Sequence, residues 1–255
     1  MKRIFPRTSI ILLIIFTAIL SIAQSENNNE IYNIVHKVDQ LYRSKSSYSE
    51  LEMEIVTPHW ERTLSMKAWT EGTKKTFIRI TAPKKEKGVA TLRIGNEMWN
   101  YLPKTNKVVK IPPSMMMSSW MGSDFTNDDL VKEFSLFEDY SYEYTDVENP
   151  QNGLVYINCI PREDLPVVWG NIVMAVTRSD TLPVWQKYYD EKGELMRVLE
   201  YDNVNPFDGR KLPSVMVMIP QNEEGHRTTL RYEKLEFNIG IDEEIFSLRN
   251  LRKQI

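Results

Sequence analysis

The sequence predicts a mainly β fold: an incomplete antiparallel β-barrel of about eleven or more strands, its concave face covered by two or three helices. Three observations predict it. Short runs with apolar residues at every second position recur along most of the chain. The segments between them carry turn chemistry, with no strand-helix-strand spacing of the kind a parallel sheet needs. Only a few stretches show helical periodicity. So many meandering strands cannot lie flat, because sheets of that size curl under their own twist, and a curled sheet has a concave face.

The 255 residues open on a segment unlike the rest. Lys2, Arg3 and Arg7 precede an apolar run over 10–20, and Ser21-Ile22-Ala23 offers small residues for cleavage, the pattern of a secretory signal. The run is about eleven residues, short of the ~20 a membrane-spanning helix needs. The expected domain organisation is therefore a signal peptide over 1–23 and a single half-barrel domain over 24–255. No cysteine stands near the cleavage site to carry a lipid anchor, so the mature chain is expected to be soluble in an extracytoplasmic space.

Ile31, Ile34, Val35, Val38, Leu41 and Tyr42 then recur at helical spacing, predicting an amphipathic helix over about 30–43 whose apolar stripe needs a sheet to cover. The sheet begins with Leu51, Met53 and Ile55 alternating in a strand over 49–57 and Leu64, Met66 and Ala68 alternating after the turn at Pro58-His59. Strands over 76–81, 89–94, 98–102 and 107–111 continue the meander. A second set is expected over 140–147, 154–160, 171–177, 185–189, 195–201, 212–219 and 228–237. Asn152-Gly153, Lys192-Gly193, Asp208-Gly209 and Glu224-Gly225 supply positive-φ positions for tight hairpins within it. Near the end, 241–248 reads as a short capped helix with Ile245, Phe246 and Leu248 packed on the sheet.

Between the two sets lies residues 110–134, where large flexible side chains stand in loop grammar. Four of the twelve methionines, Met115, Met116, Met117 and Met121, fall within seven residues. Pro112-Pro113 ends the preceding strand, Gly122-Ser123 breaks any helix begun at Met115, and Thr126-Asn127-Asp128-Asp129 has the form of a capping box for a helix through Leu130, Val131 and Phe134. Methionine suits an apolar surface that must accept more than one shape. The competing explanation is that these residues plug the end of a packed core.

Much chemistry is excluded. Removing the three signal cations leaves 29 basic against 35 acidic residues, and the short basic runs at Lys84-Lys85 and Arg252-Lys253 read as solvated loops, so no nucleic-acid partner is expected. Cys159, the only cysteine, lies in an alternating apolar run and reads as a small buried hydrophobe. His36, His59 and His226 lack ligand spacing, so no metal is expected. There is no G-x-S-x-G, no phosphate loop and no dinucleotide fingerprint. Asp128 and Asp129 are explained by capping. The chain is therefore expected to be no enzyme, with no catalytic residue and no cofactor.

Three segments carry a family likeness: Ala82-Pro83-Lys84-Lys85-Glu86-Lys87-Gly88, Met98-Trp99-Asn100-Tyr101-Leu102-Pro103, and the run from Ser119-Trp120-Met121-Gly122 through Ser123-Asp124-Phe125-Thr126 to Asn127-Asp128-Asp129-Leu130. In these the chain resembles the outer-membrane lipoprotein-sorting family, similar to the periplasmic lipoprotein carrier LolA. The likeness runs over nearly all the mature chain. It implies an incomplete antiparallel barrel with helices as a lid over an apolar cavity that takes acyl chains. It also implies a periplasmic location, transport and chaperone roles in outer-membrane biogenesis, and an arginine at the cavity mouth that the alignment does not select. The implied partners are lipoprotein acyl chains or another lipid, an inner-membrane transporter of the lipoprotein ABC type or the resistance-nodulation type as donor, and an outer-membrane acceptor. The carrier is expected to act as a monomer.

Two readings of function follow. In the first, Met115, Met116, Met117, Trp120, Met121 and Phe125 form a lid, and Trp99, Tyr101, Leu51, Met53 and Ile55 line the concave face beneath it. In the second, the interior is filled and the chain is a non-enzymatic interaction module of an envelope or export complex, docking through the Met-rich loop. A cavity of several hundred Å³ favours the first and a solid core the second.

Overall fold

The computed structural model describes residues 29–131, 135–162 and 169–253. Helix α1 (29–40) leads into strands β1 (Ser46–Val56), β2 (Glu61–Glu71), β3 (Lys75–Ala82), β4 (Ala90–Ile94), β5 (Glu97–Leu102) and β6 (Lys107–Ile111). A 3-10 turn at Pro113–Met115 and helices α2 (Asn127–Val131) and α3 (Leu136–Asp139) follow. Strands β7 (Tyr140–Tyr144), β8 (Leu154–Pro161), β9 (Asn171–Thr177), β10 (Pro183–Tyr189), β11 (Leu195–Phe207), β12 (Arg210–Pro220) and β13 (Arg227–Phe237) complete one 13-stranded sheet. A 3-10 turn (Glu243–Phe246) and α4 (Leu248–Leu251) end the described chain. Phe134 lies outside the described residues.

The strand order is β6-β5-β4-β3-β2-β1-β13-β12-β11-β10-β9-β8-β7, an open sheet that does not close into a barrel. Two meanders, β1–β6 and β7–β13, each pair neighbour with neighbour, and the first and last strands join them, from Ser47 opposite Phe237 to Val56 opposite Arg227. The chain therefore leaves β6 at one edge and re-enters at β7 on the other. This topology alone forces the connection from residue 112 to 139 to cross the full width of the sheet. Trp120 and Phe125 of that connection are buried against Leu51, Met66, Ile78 and Met218, so it crosses the concave side.

Period-two alternation sets the faces. Along β1, Ser47, Ser49, Leu51, Met53 and Ile55 are buried while the residues between them are half-buried. The middle of β3 is buried on both faces, because the C-terminal segment covers its convex side: Phe77 packs there with Leu92, Tyr101, Phe246 and Leu251, while Ile78 and Ile80 face the concave core. Arg79 donates to the Asn250 and Lys253 carbonyls at the end of α4, satisfying orphan carbonyls of that helix. Helix α1 lays Ile31, Val35 and Val38 on the other half of the sheet, against Tyr140, Ile157, Cys159, Ile172 and Met174. Cys159 is fully buried, which pushes its thiol up to about 12.

Strand ends shift by a few residues throughout, and two larger differences from the sequence reading have a physical reason. Strand β11 runs to Phe207, well beyond 201, because its outer residues are largely exposed and offer no alternation to read; its hairpin with β12 turns through Asp208 (φ 44°) and Gly209 (φ 80°), the pair of positive angles a two-residue turn requires. Leu248 does not pack on the sheet. It is 42% exposed, and Leu251, one turn on, takes the buried position instead.

Candidate functional site

The concave face, α1 and the crossing connection enclose a cavity of about 680 Å³. Its floor is apolar: Leu51, Met66, Ala68 and Ile78 from β1–β3, and Leu199, Met216, Met218 and Leu230 from β11–β13. Met116, Met117, Phe125 and Leu130 of the connection cover it.

Of the residues expected to form lid and lining, Leu51, Met116, Met117 and Phe125 line this cavity. Met53, Ile55 and Trp120 belong to the same apolar cluster one layer behind the wall. Trp120 is 1% exposed, and its indole N–H donates to Thr91 at 3.1 Å. Met121 packs partly buried against that cluster, and Met115 stands 48% exposed outside it. Trp99 and Tyr101 lie on the opposite face, with Phe77, Leu92 and Phe246. The physical reason is strand parity: Met98 turns inward to the concave cluster, so the odd-numbered neighbours of β5 turn outward.

The connection is tied down along its backbone. Asn127 Nδ2 donates to the carbonyls of Met115 (3.0 Å) and Ser118 (3.1 Å), Trp120 N to Phe125 O (2.9 Å), and Ser123 Oγ to Trp120 O (2.7 Å). Arg62 donates to the Met121 carbonyl. Near its middle Asp124 accepts from Thr228 Oγ1 at 2.7 Å. Positive φ at Met121 (54°) and Gly122 (76°) makes the sharp reversal after Trp120. The parts free to rearrange are therefore the methionine side chains rather than the loop as a whole.

The capping box forms as expected: Asp129 N donates to Thr126 Oγ1 at 3.1 Å and Thr126 N to Asp129 Oδ2 at 2.8 Å. Asp129 has a second role that sequence reasoning missed. Arg197 of β11 donates to both of its oxygens, at 2.6 and 2.7 Å, and the guanidinium lies 4.4 Å from the ring centroids of both Trp169 and Tyr188. Burial alone would raise the Asp129 carboxyl, but the Arg197 charge and the hydrogen bonds from Arg197 and Thr126 outweigh it and hold the group below the ordinary carboxylate range. Capping thus accounts for only half of what Asp129 does. The missed signal was available, since Arg197 shares its parity with Leu195, Leu199 and Tyr201 and so interrupts an apolar face with a charge.

Arg43, the other arginine lining the cavity, pairs with Asp39 at 3.0 Å. Below the connection, His226 Nδ1 lies 3.0 Å from Glu223 Oε2 and 3.8 Å from Asp124 Oδ1. Burial raises the Asp124 carboxyl, partly offset by Thr228 and His226. Among the described residues this trio, drawn from two distant segments, is the group with the atoms to hold a metal ion. No helix of the described residues is long and apolar enough to cross a membrane.

A family model with the description "Uncharacterized protein" matches residues 72–253. Comparison with curated proteins gives no match. Among solved structures, the chain is similar to a DUF1329 family protein from Desulfovibrio piger (TM-score 0.78, 23% identity, covering 88% of this chain and 99% of that one). It is similar to a domain from Vibrio parahaemolyticus described as an outer membrane lipoprotein-sorting protein (TM-score 0.74, 22% identity, 89% and 100% covered). A LolA superfamily protein from Nitrosomonas europaea aligns with a TM-score of 0.70 at 19% identity, over 86% of this chain and 97% of that one. At these identities the likeness carries the fold.

Proposed function

The chain belongs to the family whose model spans residues 72–253 and has the fold of the LolA superfamily, and from that premise we propose that it is a non-enzymatic periplasmic carrier for the acyl chains of lipoproteins or lipids. The observation that carries this reading is the cavity of about 680 Å³ between an apolar sheet and a methionine-bearing cover. That volume lies within the range of small-molecule sites, and a filled interaction module has no use for it. Moving one C16 acyl chain out of water is worth about 12 kcal/mol at ~0.8 kcal/mol per methylene, before the costs of binding. Even a partial fit would keep such a chain in solution.

In this reading residues 1–23 direct export and are removed, and the remainder acts as one soluble monomeric domain. Leu51, Phe125, Met116 and Met117 contact the cargo. Met115 and Met121 flank the cover, while Met53, Ile55 and Trp120 support the wall from behind. Cargo comes from an inner-membrane transporter and leaves to an outer-membrane acceptor. Titration of the purified chain with a fluorescent fatty acid, with native mass spectrometry of protein isolated from the periplasm, tests the reading. Saturable probe binding and a co-purifying acylated molecule are expected. Absence of both would remove the carrier reading and favour the interaction module.

A further inference from the structure

Outside the cavity, the turn between β12 and β13 meets the connection at a cluster of ligand-bearing side chains. The turn passes through Gly225 (φ 76°), and the His226 amide donates to the Glu223 carbonyl at 3.3 Å. A side chain at 225 would be strained by that φ and would stand 3.1 Å from Pro58 Cγ, so the turn is packed in a fixed shape. It brings His226 Nδ1 to 3.0 Å from Glu223 Oε2. Asp124 arrives from the connection already gripped: its amide donates to Thr228 Oγ1 at 2.9 Å, and that hydroxyl donates to Asp124 Oδ2 at 2.7 Å. Oδ1 is left facing His226 Nδ1 at 3.8 Å, a charge contact longer than a hydrogen bond. The Asp124 side chain is only 9% exposed, so water has little access to this contact.

The three ligand atoms, one imidazole nitrogen and two carboxylate oxygens, lie within 4.8 Å of one another. Around a tetrahedral ion with bonds of ~2.0–2.2 Å, neighbouring ligand atoms stand ~3.4 Å apart, and the 3.0 and 3.8 Å separations fall on either side of that spacing. Two carboxylates and one neutral imidazole carry a net negative charge, which an ion pair with a protonated His226 neutralises only in part. A divalent cation neutralises it in full. We propose that Asp124, Glu223 and His226 form a site for a zinc-class divalent cation, with water in the fourth position. The imidazole selects against Ca²⁺ and Mg²⁺, which take oxygen ligands in larger number. Thr228 is the positioning residue, holding Oδ2 so that Oδ1 is presented to the ion. Bound there, the cation ties the connection to the β12–β13 turn at the residue next to Phe125, which covers the cavity. Sequence reasoning missed the site because its members come from segments about a hundred residues apart.

The test titrates the chelator-treated full chain with ZnCl₂ by calorimetry and counts bound ions by native mass spectrometry. One Zn²⁺ per chain is expected, with Ca²⁺ and Mg²⁺ failing to compete at the same concentration. His226→Ala and Glu223→Gln should each weaken binding by at least about tenfold, the loss that even an outer-shell change can cause. Glu223 is 54% exposed, so its variant keeps the wild-type urea midpoint in the absence of metal and separates lost coordination from misfolding. His36→Ala with His59→Ala, which removes the other two histidines, should bind as the wild type does. Zn²⁺ should also slow amide exchange over 120–126 and 223–228 in the wild type and leave Glu223→Gln unchanged. Absence of Zn²⁺ binding, binding that survives in both His226→Ala and Glu223→Gln, or binding lost with His36 and His59 would each overturn the site, the last two as an adventitious ion only. Binding without slower exchange would overturn the tie between connection and turn. None of these outcomes depends on acyl cargo, so the carrier reading stands or falls separately.

Discussion

The two faces of strands β2–β5 are built from the same alternation yet end differently. On the convex side Phe77, Leu92 and Tyr101 meet Phe246 and Leu251, and the space is filled. On the concave side Met66, Ile78 and Met98 meet the crossing connection, and about 680 Å³ stays open. The difference lies in the covers. The C-terminal segment is short, clamped by Arg79 on the Asn250 and Lys253 carbonyls, and presents compact side chains directly to the strands. The connection must span from one sheet edge to the other, and it bridges a curved surface while touching it at a few fixed points. Filled and hollow regions thus arise from one pattern, and what decides between them is the reach of the covering segment.

The largest effect that sharpens this comparison is expected at the strongest of those fixed points. Arg197→Met leaves Asp129 buried and unpaired, which should cost about 3–5 kcal/mol of stability. The pair also sets an acid limit. The Asp129 carboxyl is held below its unfolded value, so its contribution is present above the unfolded carboxylate range and is lost as pH falls through the lower folded value. Urea unfolding of the wild type between pH 7 and pH 2 should lose stability at the acid end, and Asp129→Asn, already destabilised at pH 7, should show a shallower loss.

On the filled face, Leu251→Ala removes a fully buried side chain from a site that cannot collapse easily, at about 2–5 kcal/mol. Acyl-probe affinity measured well below the melting temperature should stay at its wild-type value, because this cavity would open on the far side of the sheet. A coupled loss of affinity would mean that the two faces are not independent. A smaller effect is expected at Trp120→Phe, which loses the hydrogen bond to Thr91 and some buried volume. Thr91 keeps its bond to Asn100, so about 1–2 kcal/mol is expected in denaturant unfolding.

The fold was legible in the sequence because period-two alternation and turn dipeptides are local signals, and a sheet in which each meander pairs neighbour with neighbour is assembled from local signals. The cover over the concave face was legible for a related reason: Pro112-Pro113, Gly122 and the Thr126 capping box mark its fixed points. What could not be read was where side chains of distant strands converge. Arg197 meets Asp129 across 68 residues, and Thr228 meets Asp124 across 104. Trp99 and Tyr101 were attractive as aromatic residues, yet their side of the sheet depended on Met98 taking the concave one. Leu248 and Leu251 were equally apolar, and only the docking of the last turn chooses between them.

The smallest stability effect, and the one that bears most directly on the hollow face, is expected from Met116→Ser with Met117→Ser. Both side chains are half-buried and line the cavity, while the backbone around them is held by Asn127, by Ser118 O and by the bond from Asp128 N to Met116 O. None of these bonds uses a methionine side chain, so the substitutions should stay near 0.5 kcal/mol each, a shift of a few degrees in melting temperature. If the pair covers acyl cargo, fluorescent fatty-acid affinity should fall severalfold, because two apolar contacts are replaced by hydroxyls that favour water. A loss of several kcal/mol would place Met116 and Met117 in a packed core and make the hollow face resemble the filled one. A near-native melt with wild-type affinity would break the comparison from the other side: the cover would then be passive, and the cargo would be held by the apolar floor of the sheet alone.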